Sequence, residues 1–246
     1  RTDLVSSWRS ATPPDAPNRF VINVMPDQAE PFRQALKDGG VARYDWYPMI
    51  RGRLIAVNGR NLRSEDYADE RAQRLVEREF NLSHAAQPPG HNPIVGGRWV
   101  SEEGDGLSVE EGLMKTLGLK LGDRLRFDVA GSAVEGRITS VRKVDWASMR
   151  VNFFVMFPRA QLPELPATYI AGFRAPDTAG FDNRLTRSFP NITLVDLTLS
   201  LNQVQGVLAQ VTQAVEFLFV FTLLAGSVVL MAALVTSREQ REREFA

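Results

Sequence analysis

The sequence predicts an α+β fold: a discontinuous ferredoxin-like βαβ layer with an inserted β-rich subdomain, followed by an amphipathic stalk helix and a transmembrane helix. Three observations predict it. A strand-helix-strand grammar at residues 18–57 returns at residues 166–196, so one layer draws its halves from both ends of a long insertion. The segment between them, from about Gly90 to Leu162, is punctuated by Gly and Pro and dominated by short strand candidates. Finally, an uncharged apolar run from Phe217 to Val235 stops against Arg238, Glu239, Arg241, Glu242, Arg243 and Glu244.

Taken in order, "RFVINV" is rich in β-branched and aromatic residues and reads as a strand that ends where Pro26 and Asp27 can open a helix. "QAEPFRQALKDGG" continues that helix, with Phe32, Ala35 and Leu36 at helical spacing and Gly39-Gly40 as its stop. "VARYDWYPMIRGRLIAVNGR" reads as two strands with a break near Arg51-Gly52. "EDYADERAQRLVEREFNLSHAAQPPG" reads as a highly charged helix with a solvated face, then a Pro-Pro-Gly linker.

The insertion offers "NPIVGGRWV", a short helix "VEEGLMKTLGL" ended by Gly118, the turn "KLGD", and the strands "RLRFDVAG", "VEGRITSVRKV" and "VNFFVMF". Leu125, Phe127 and Val129 alternate as one buried face. The acidic residues from Glu102 to Glu111 do not match the spacing of an EF-hand and read as a solvated loop. After the insertion come a strand ("ATYIAGF"), a helix ("DTAGFDNRLTRSF") and a strand ("NITLVDL"). Leu201, Val204, Leu208, Val211, Val215 and Leu218 then recur at spacings of three and four, one stripe of a helix that flows into the apolar run. An ordinary core-facing surface helix has the same pattern.

At 1.5 Å per residue the apolar run reaches about 28 Å, close to a hydrocarbon core of about 30 Å. A buried central helix of a soluble protein is usually shorter and seldom apolar on every face. No Lys or Arg falls between Arg187 and Arg238, whereas three Arg follow the run directly, so the positive-inside rule places Ala246 in the cytoplasm and everything before Phe217 outside a bacterial inner membrane. The first residue is Arg and "RTDLVSSW" lacks the apolar core of a signal peptide, so the reading expects a piece of a longer chain.

Composition excludes several classes. Lys and Arg number 29, as do Asp and Glu, which gives no reason to expect a nucleic-acid partner. There is no cysteine, hence no disulfide and no thiol catalysis. Motifs for a nucleophile elbow, a zinc protease, a phosphate loop or a dinucleotide fingerprint are absent. The two histidines, His84 and His91, flank the Pro-Pro-Gly linker and give a triad or a metal site little to draw on. No catalytic residue, metal or cofactor is expected on this chain.

The tail "SREQREREFA", directly after a span with a long amphipathic helix before it, resembles the FtsX-like permease domain of ABC transporters. The preceding region resembles the MacB-type periplasmic core, a discontinuous Porter layer with an inserted Sabre subdomain. "REFNLS", "GGRWV", "LGLKLGDRLRFDVAG" and especially "VRKVDWASMRVNFFVMFP" resemble the YbbP-type permeases within that superfamily. The resemblance implies a permease subunit that couples ATP hydrolysis, with ATP and magnesium on a separate ABC ATPase, to movement of periplasmic layers and extraction of a hydrophobic or lipid-like substrate. It implies membrane lipid, further permease spans or a second permease copy, and a periplasmic lysophospholipase-like esterase as partners.

It also implies that Arg238, Arg241, Glu242, Arg243, Glu244 and Phe245 couple to the ATPase, and that Leu201, Val204, Leu208, Val211 and Val215 transmit motion along the stalk. The corresponding segments are 1–17 (entry from a preceding span), 18–89 and 166–196 (Porter-like), 90–165 (Sabre-like), 197–216 (stalk), 217–236 (span) and 237–246 (start of the coupling segment). The alternative is a membrane-anchored extracytoplasmic sensor or ligand-binding module that signals through the same helix. An anchored hydrolase would need a nucleophile and base that the sequence does not supply.

Overall fold

A computed structural model describes residues 15–244, with side chains omitted for 199–212 and 238–244. The chain divides into two compact units after Asp196. In the first unit, β1 (Arg19–Val24), α1 (Ala29–Asp38) and the first half of β2 (Tyr44–Val57) are completed by β10 (Thr168–Phe173), α4 (Phe181–Ser188) and β11 (Thr193–Asp196). These strands form a four-stranded antiparallel layer in the order β11-β1-β10-β2. Phe32 and Leu36 of α1 and Phe181 and Leu185 of α4 pack on Val21, Val24, Ala171 and Phe173, so both helices cover one face of the sheet. Arg19, on β1, ties this layer together by reaching Asp182 at 3.1 Å on α4 and Asp196 at 2.8 Å on β11.

The rest of the first unit comprises β3 (Arg60–Asn61), α2 (Glu70–Glu77), β4 (Glu79–His84), β5 (Ile94–Gly97), β6 (Gly106–Glu110), α3 (Glu111–Leu117), β7 (Arg124–Val129), β8 (Ser132–Arg142) and β9 (Val155–Phe157). Six strands pair in a closed circuit: β2 with β4, β4 with β9, β9 with β6, β6 with β8, β8 with β7, and β7 back to β2. Closure satisfies every strand on both sides and removes free edges from the ring. Leu54, Phe80, Leu107, Phe127 and Ile138 share one apolar core with Leu75 of α2 and Leu113 of α3.

Several expectations need correction. "YDWYPMIRGRLIAV" is one strand of 14 residues, not two. Gly52 lies inside it because a Cβ there would stand 2.7 Å from a Leu82 methyl group; the glycine serves close packing and does not break the strand. The charged helix is shorter than the charge run, and "EFNLSH" after it is strand β4, with Phe80 and Leu82 fully buried. Within the acidic stretch, Gly106–Glu110 is a buried strand rather than a solvated loop. Its Glu110 accepts the Leu113 N–H at 2.7 Å and caps α3, which gives a buried carboxylate a structural use. "VNFFVMF" is a strand only from Val155. Residues 50–82 contribute to the ring's core, upstream of the insertion read from Gly90.

Other local readings hold. Gly118 ends α3 in a left-handed conformation, at φ 65°. Leu125, Phe127 and Val129 are all buried, as their alternation indicates. The second unit is a single helix, α5, from Thr198 to Glu244. Its 47 residues extend about 70 Å at 1.5 Å per residue.

Candidate functional site: a membrane-length helix and the strap between two sheets

Helix α5 contains a segment, Gln213–Ser237, long and apolar enough to cross a membrane. Phe217, Leu218, Val220, Phe221, Leu224, Val228, Val229, Leu230, Met231 and Leu234 are exposed, so no protein covers the apolar surface within the described residues. Three hydroxyls along this segment are satisfied internally. Thr222, Ser227 and Thr236 donate to the carbonyls of Leu218, Leu223 and Ala232, each four residues back, at 2.8–2.9 Å. A helix in hydrocarbon has to meet that condition, because no water is there to take the bond.

In the first unit the densest polar chemistry lies in the segment from Arg142 to Phe157, which holds the stretch that the sequence marks as most specific. It leaves β8 and returns as β9 after crossing the face of the four-stranded layer opposite α1 and α4. There Val151, Phe153, Met156 and Met49 form a small core with Phe20, Ile22, Tyr47 and Ile170. Gly172 marks the crossing: a Cβ on it would stand 2.9 Å from a Val151 methyl group. The segment is a strap that joins ring and layer.

Two arginines hold it. Arg142 is fully buried, and its acceptors are all neutral: Ser108 Oγ at 2.9 Å, Asn92 Oδ1 at 2.8 Å, and the carbonyl oxygens of Phe153 at 2.8 Å and Phe154 at 3.2 Å. Burial pulls its pKa down to about 10, partly offset by the nearby Glu110 carboxylate, so the guanidinium stays charged at neutral pH. Arg150 instead grips a carboxylate, Asp45 of β2, at 2.6 and 3.2 Å. Asp45 also accepts the Val151 N–H at 3.1 Å. That fork raises the Arg150 pKa. Asn92 Nδ2 donates to Asn152 Oδ1 at 2.9 Å, and His91 Nε2 meets the Val151 carbonyl at 2.9 Å. The exposed Trp146 leans on Phe154 at 4.8 Å between ring centroids.

Sequence reasoning pointed to other residues. Leu201, Val204, Leu208, Val211, Arg238, Arg241, Glu242, Arg243 and Glu244 fall on the backbone of α5, but their side chains lie outside the described residues, as does Phe245 altogether. Val215 is half exposed. Asp45, Arg142 and Arg150 were missed. An acid between Tyr44 and Trp46, and an arginine ending a strand of alternating apolar residues, were the available signals. Among the described residues no three His, Asp or Glu side chains gather in a way that could hold a metal ion. His84 binds the Arg159 carbonyl at 3.0 Å, and burial lowers its pKa.

No protein-family model matches the chain. The periplasmic region of MacB from Actinobacillus actinomycetemcomitans aligns over 80% of this chain and 95% of its own, at a TM-score of 0.43 and 10% identity. A domain of a putative permease protein from Porphyromonas gingivalis aligns over 73% of this chain and 86% of its own, at 0.35 and 12%. At these values neither likeness carries weight. The sequence match is stronger: the ABC transporter permease YbbP of Escherichia coli (strain K12), itself described as uncharacterized, is 36% identical over 245 residues, all of this chain and 30% of the relative's length. The chain is thus similar, along its whole length, to a stretch that makes up 30% of a YbbP-type ABC transporter permease, and it carries a membrane-length helix of its own.

Proposed function

We propose that the chain is the periplasmic region, stalk and one span of an ABC transporter permease, which relays ATP hydrolysis on a separate ATPase subunit to movement outside the membrane. The observation that carries this reading is the single helix Thr198–Glu244, which begins one residue after β11 and continues through the membrane-length segment into the charged tail. An unbroken helix is a rigid ladder of backbone bonds and suits the transmission of a push. The 36% identity to a permease supports the same reading.

The finer assignments belong to this proposal. The order β11-β1-β10-β2, with α1 and α4 on one face, supports a ferredoxin-like, Porter-like layer, and the strand ring then stands for the Sabre-like part, beginning within β2 near Ile50. Residues before Phe217 lie in the periplasm and the tail in the cytoplasm, where Arg238, Arg241, Glu242, Arg243, Glu244 and Phe245 face the ATPase with its ATP and magnesium. The substrate is a hydrophobic or lipid-like molecule drawn from the membrane. Further spans or a second permease copy complete the assembly, and a lysophospholipase-like esterase collaborates in the periplasm.

The test is Val211→Pro in the assembled complex. Proline there removes one helix bond, clashes with the Val207 carbonyl and costs roughly 3 kcal/mol locally, while the apolar run stays intact. The variant is expected to insert, retain its ATPase and hydrolyse ATP, but to lose the nucleotide-dependent distance change between spin labels on the four-stranded layers of paired protomers. An unchanged distance response would exclude the stalk as transmitter. Cysteines at Ser132 and Gln240 test the topology: only the first should react with an impermeant thiol reagent in spheroplasts.

A further inference from the structure

The geometry points to the open edge of β2, from Tyr44 to Tyr47, as a docking site for an extended acidic segment of a partner protein, taken up as an added strand. The direction of the backbone groups follows from the ladder. The Phe173 carbonyl accepts the Asn18 N–H at 3.0 Å on the β1 side of β10, so Gly172, Ile170 and Thr168 face β2. Their partners Asp45, Tyr47 and Met49 use up those bonds, which turns the N–H and C=O of Tyr44 and Trp46, and the carbonyl of Pro48, outward. Ser83 Oγ, donating to the Pro48 carbonyl at 2.7 Å, marks that same outer side.

Strand β4 covers the outer side only from Ile50, opposite Leu82, to Arg53, opposite Glu79. Carried on, the register would set Ala86 against Trp46, but β4 peels away first. The Ala86 carbonyl, which would face Trp46, accepts Trp99 Nε1–H at 2.9 Å instead. Among the described residues the outward groups of Tyr44 and Trp46 therefore have no partner. An open cleft of about 720 Å³ runs between this edge and the loop that carries Pro88 and Pro89. At Pro88 and Pro89 the facing wall has no N–H to offer the outward carbonyls.

An unpaired edge beside a walled cleft is the arrangement that strand addition uses, with backbone bonds for affinity and side chains for selection. Selection here is for negative charge. Arg43 is exposed on the cleft, and Arg33 is held over it, its Nε donating to Tyr44 Oη at 3.0 Å with the guanidinium 5.6 Å from the Trp46 ring. Glu30 approaches Arg33 at 3.5 Å. Asp45 points its carboxylate to the opposite face, where Arg150 neutralises it. The cleft thus keeps a positive balance. The site needs only the first unit and does not depend on the transport reading.

The test uses the full chain in detergent micelles, followed by hydrogen-deuterium exchange at residue resolution. The probe is a short synthetic peptide alternating glutamate and valine, with two controls: the same peptide N-methylated on alternate amides, and its lysine-for-glutamate counterpart. At about 0.1–1 mM the acidic peptide should slow exchange of the Tyr44 and Trp46 amides about tenfold or more, while the ring is unaffected. The N-methylated and lysine peptides should protect at least about fivefold less, and Arg43→Glu, an exposed change, should weaken the acidic peptide by a similar factor. No protection of Tyr44 and Trp46, or equal protection by the N-methylated peptide, overturns strand addition. Indifference to charge overturns the acidic assignment. Protection by phosphatidylglycerol vesicles without peptide would give the edge to a membrane surface and overturn the proposal.

Discussion

The ring and the four-stranded layer are built from the same kinds of strand, yet they differ in what they leave unsatisfied. Each of the six ring strands has a neighbour on both sides, whereas the layer ends on β11 at one edge and on the first half of β2 at the other. A closed ring can meet another chain only through side chains, while an open layer can also offer its backbone. The two regions share one strand. On one side of β2, β10 gives way to β7; on the other, the open edge gives way to β4. What happens to β2 in the layer is therefore felt in the ring.

The sharpest way to break the comparison is to weaken one region and watch the other. Phe80→Ala removes a fully buried ring from the core of the strand circuit, where Phe80 meets Phe154 edge-on at 5.7 Å, and should cost about 3–5 kcal/mol. Circular dichroism and tryptophan fluorescence, followed through urea unfolding, should shift together because β2 links the regions. Two separated transitions would show that ring and layer are independent. Gly52→Ala tests the shared strand itself. Its new methyl group must displace Leu82, and the loss should be about 1–3 kcal/mol by the same measurement. A neutral result would mean that β2 tolerates a shift between its two roles.

A smaller effect is expected from Asp45→Ala, which releases the strap from the layer without touching the ring core. About 1–2 kcal/mol should be lost, less than for a fully buried pair because Arg150 is substantially exposed. The Val151 amide should gain more in exchange rate than the ring amides do. The smallest effect concerns pH. Burial lowers the His84 pKa below its ordinary 6.5, so above that value both folded and unfolded forms are neutral at this residue and it contributes nothing. As pH falls below about 6.5 the unfolded chain takes up the proton first, and stability declines until the folded pKa is passed. Urea midpoints at neutral and mildly acidic pH should differ by less in His84→Gln than in the parent. An equal difference would remove His84 as the source.

The local grammar was legible without coordinates. "RFVINV" is a strand with the bounds its composition suggests, Phe32 and Leu36 are the buried side of their helix, and an uncharged run of membrane length reads as a continuous helix. Each of these depends on residues within a turn or two of one another, and side-chain periodicity reports that range well. The tail residues proposed to meet an ATPase rest on charge pattern and resemblance alone.

Tertiary structure decided the rest, and the reason is distance along the chain. Whether "YDWYPMIRGRLIAV" is one strand or two depends on β10, β4 and β7, whose partner residues lie from about 30 to over 120 positions away. Glycine at position 52 looks like a break until Leu82 is seen against it. Glu110 and Arg142 look like surface charge until ring closure buries them among carbonyls and amides that no local pattern names. The sequence by itself determined which segments become strands and helices and which one suits a membrane. Only the fold decided which strand neighbours which, and so which backbone edges were left open among the described residues.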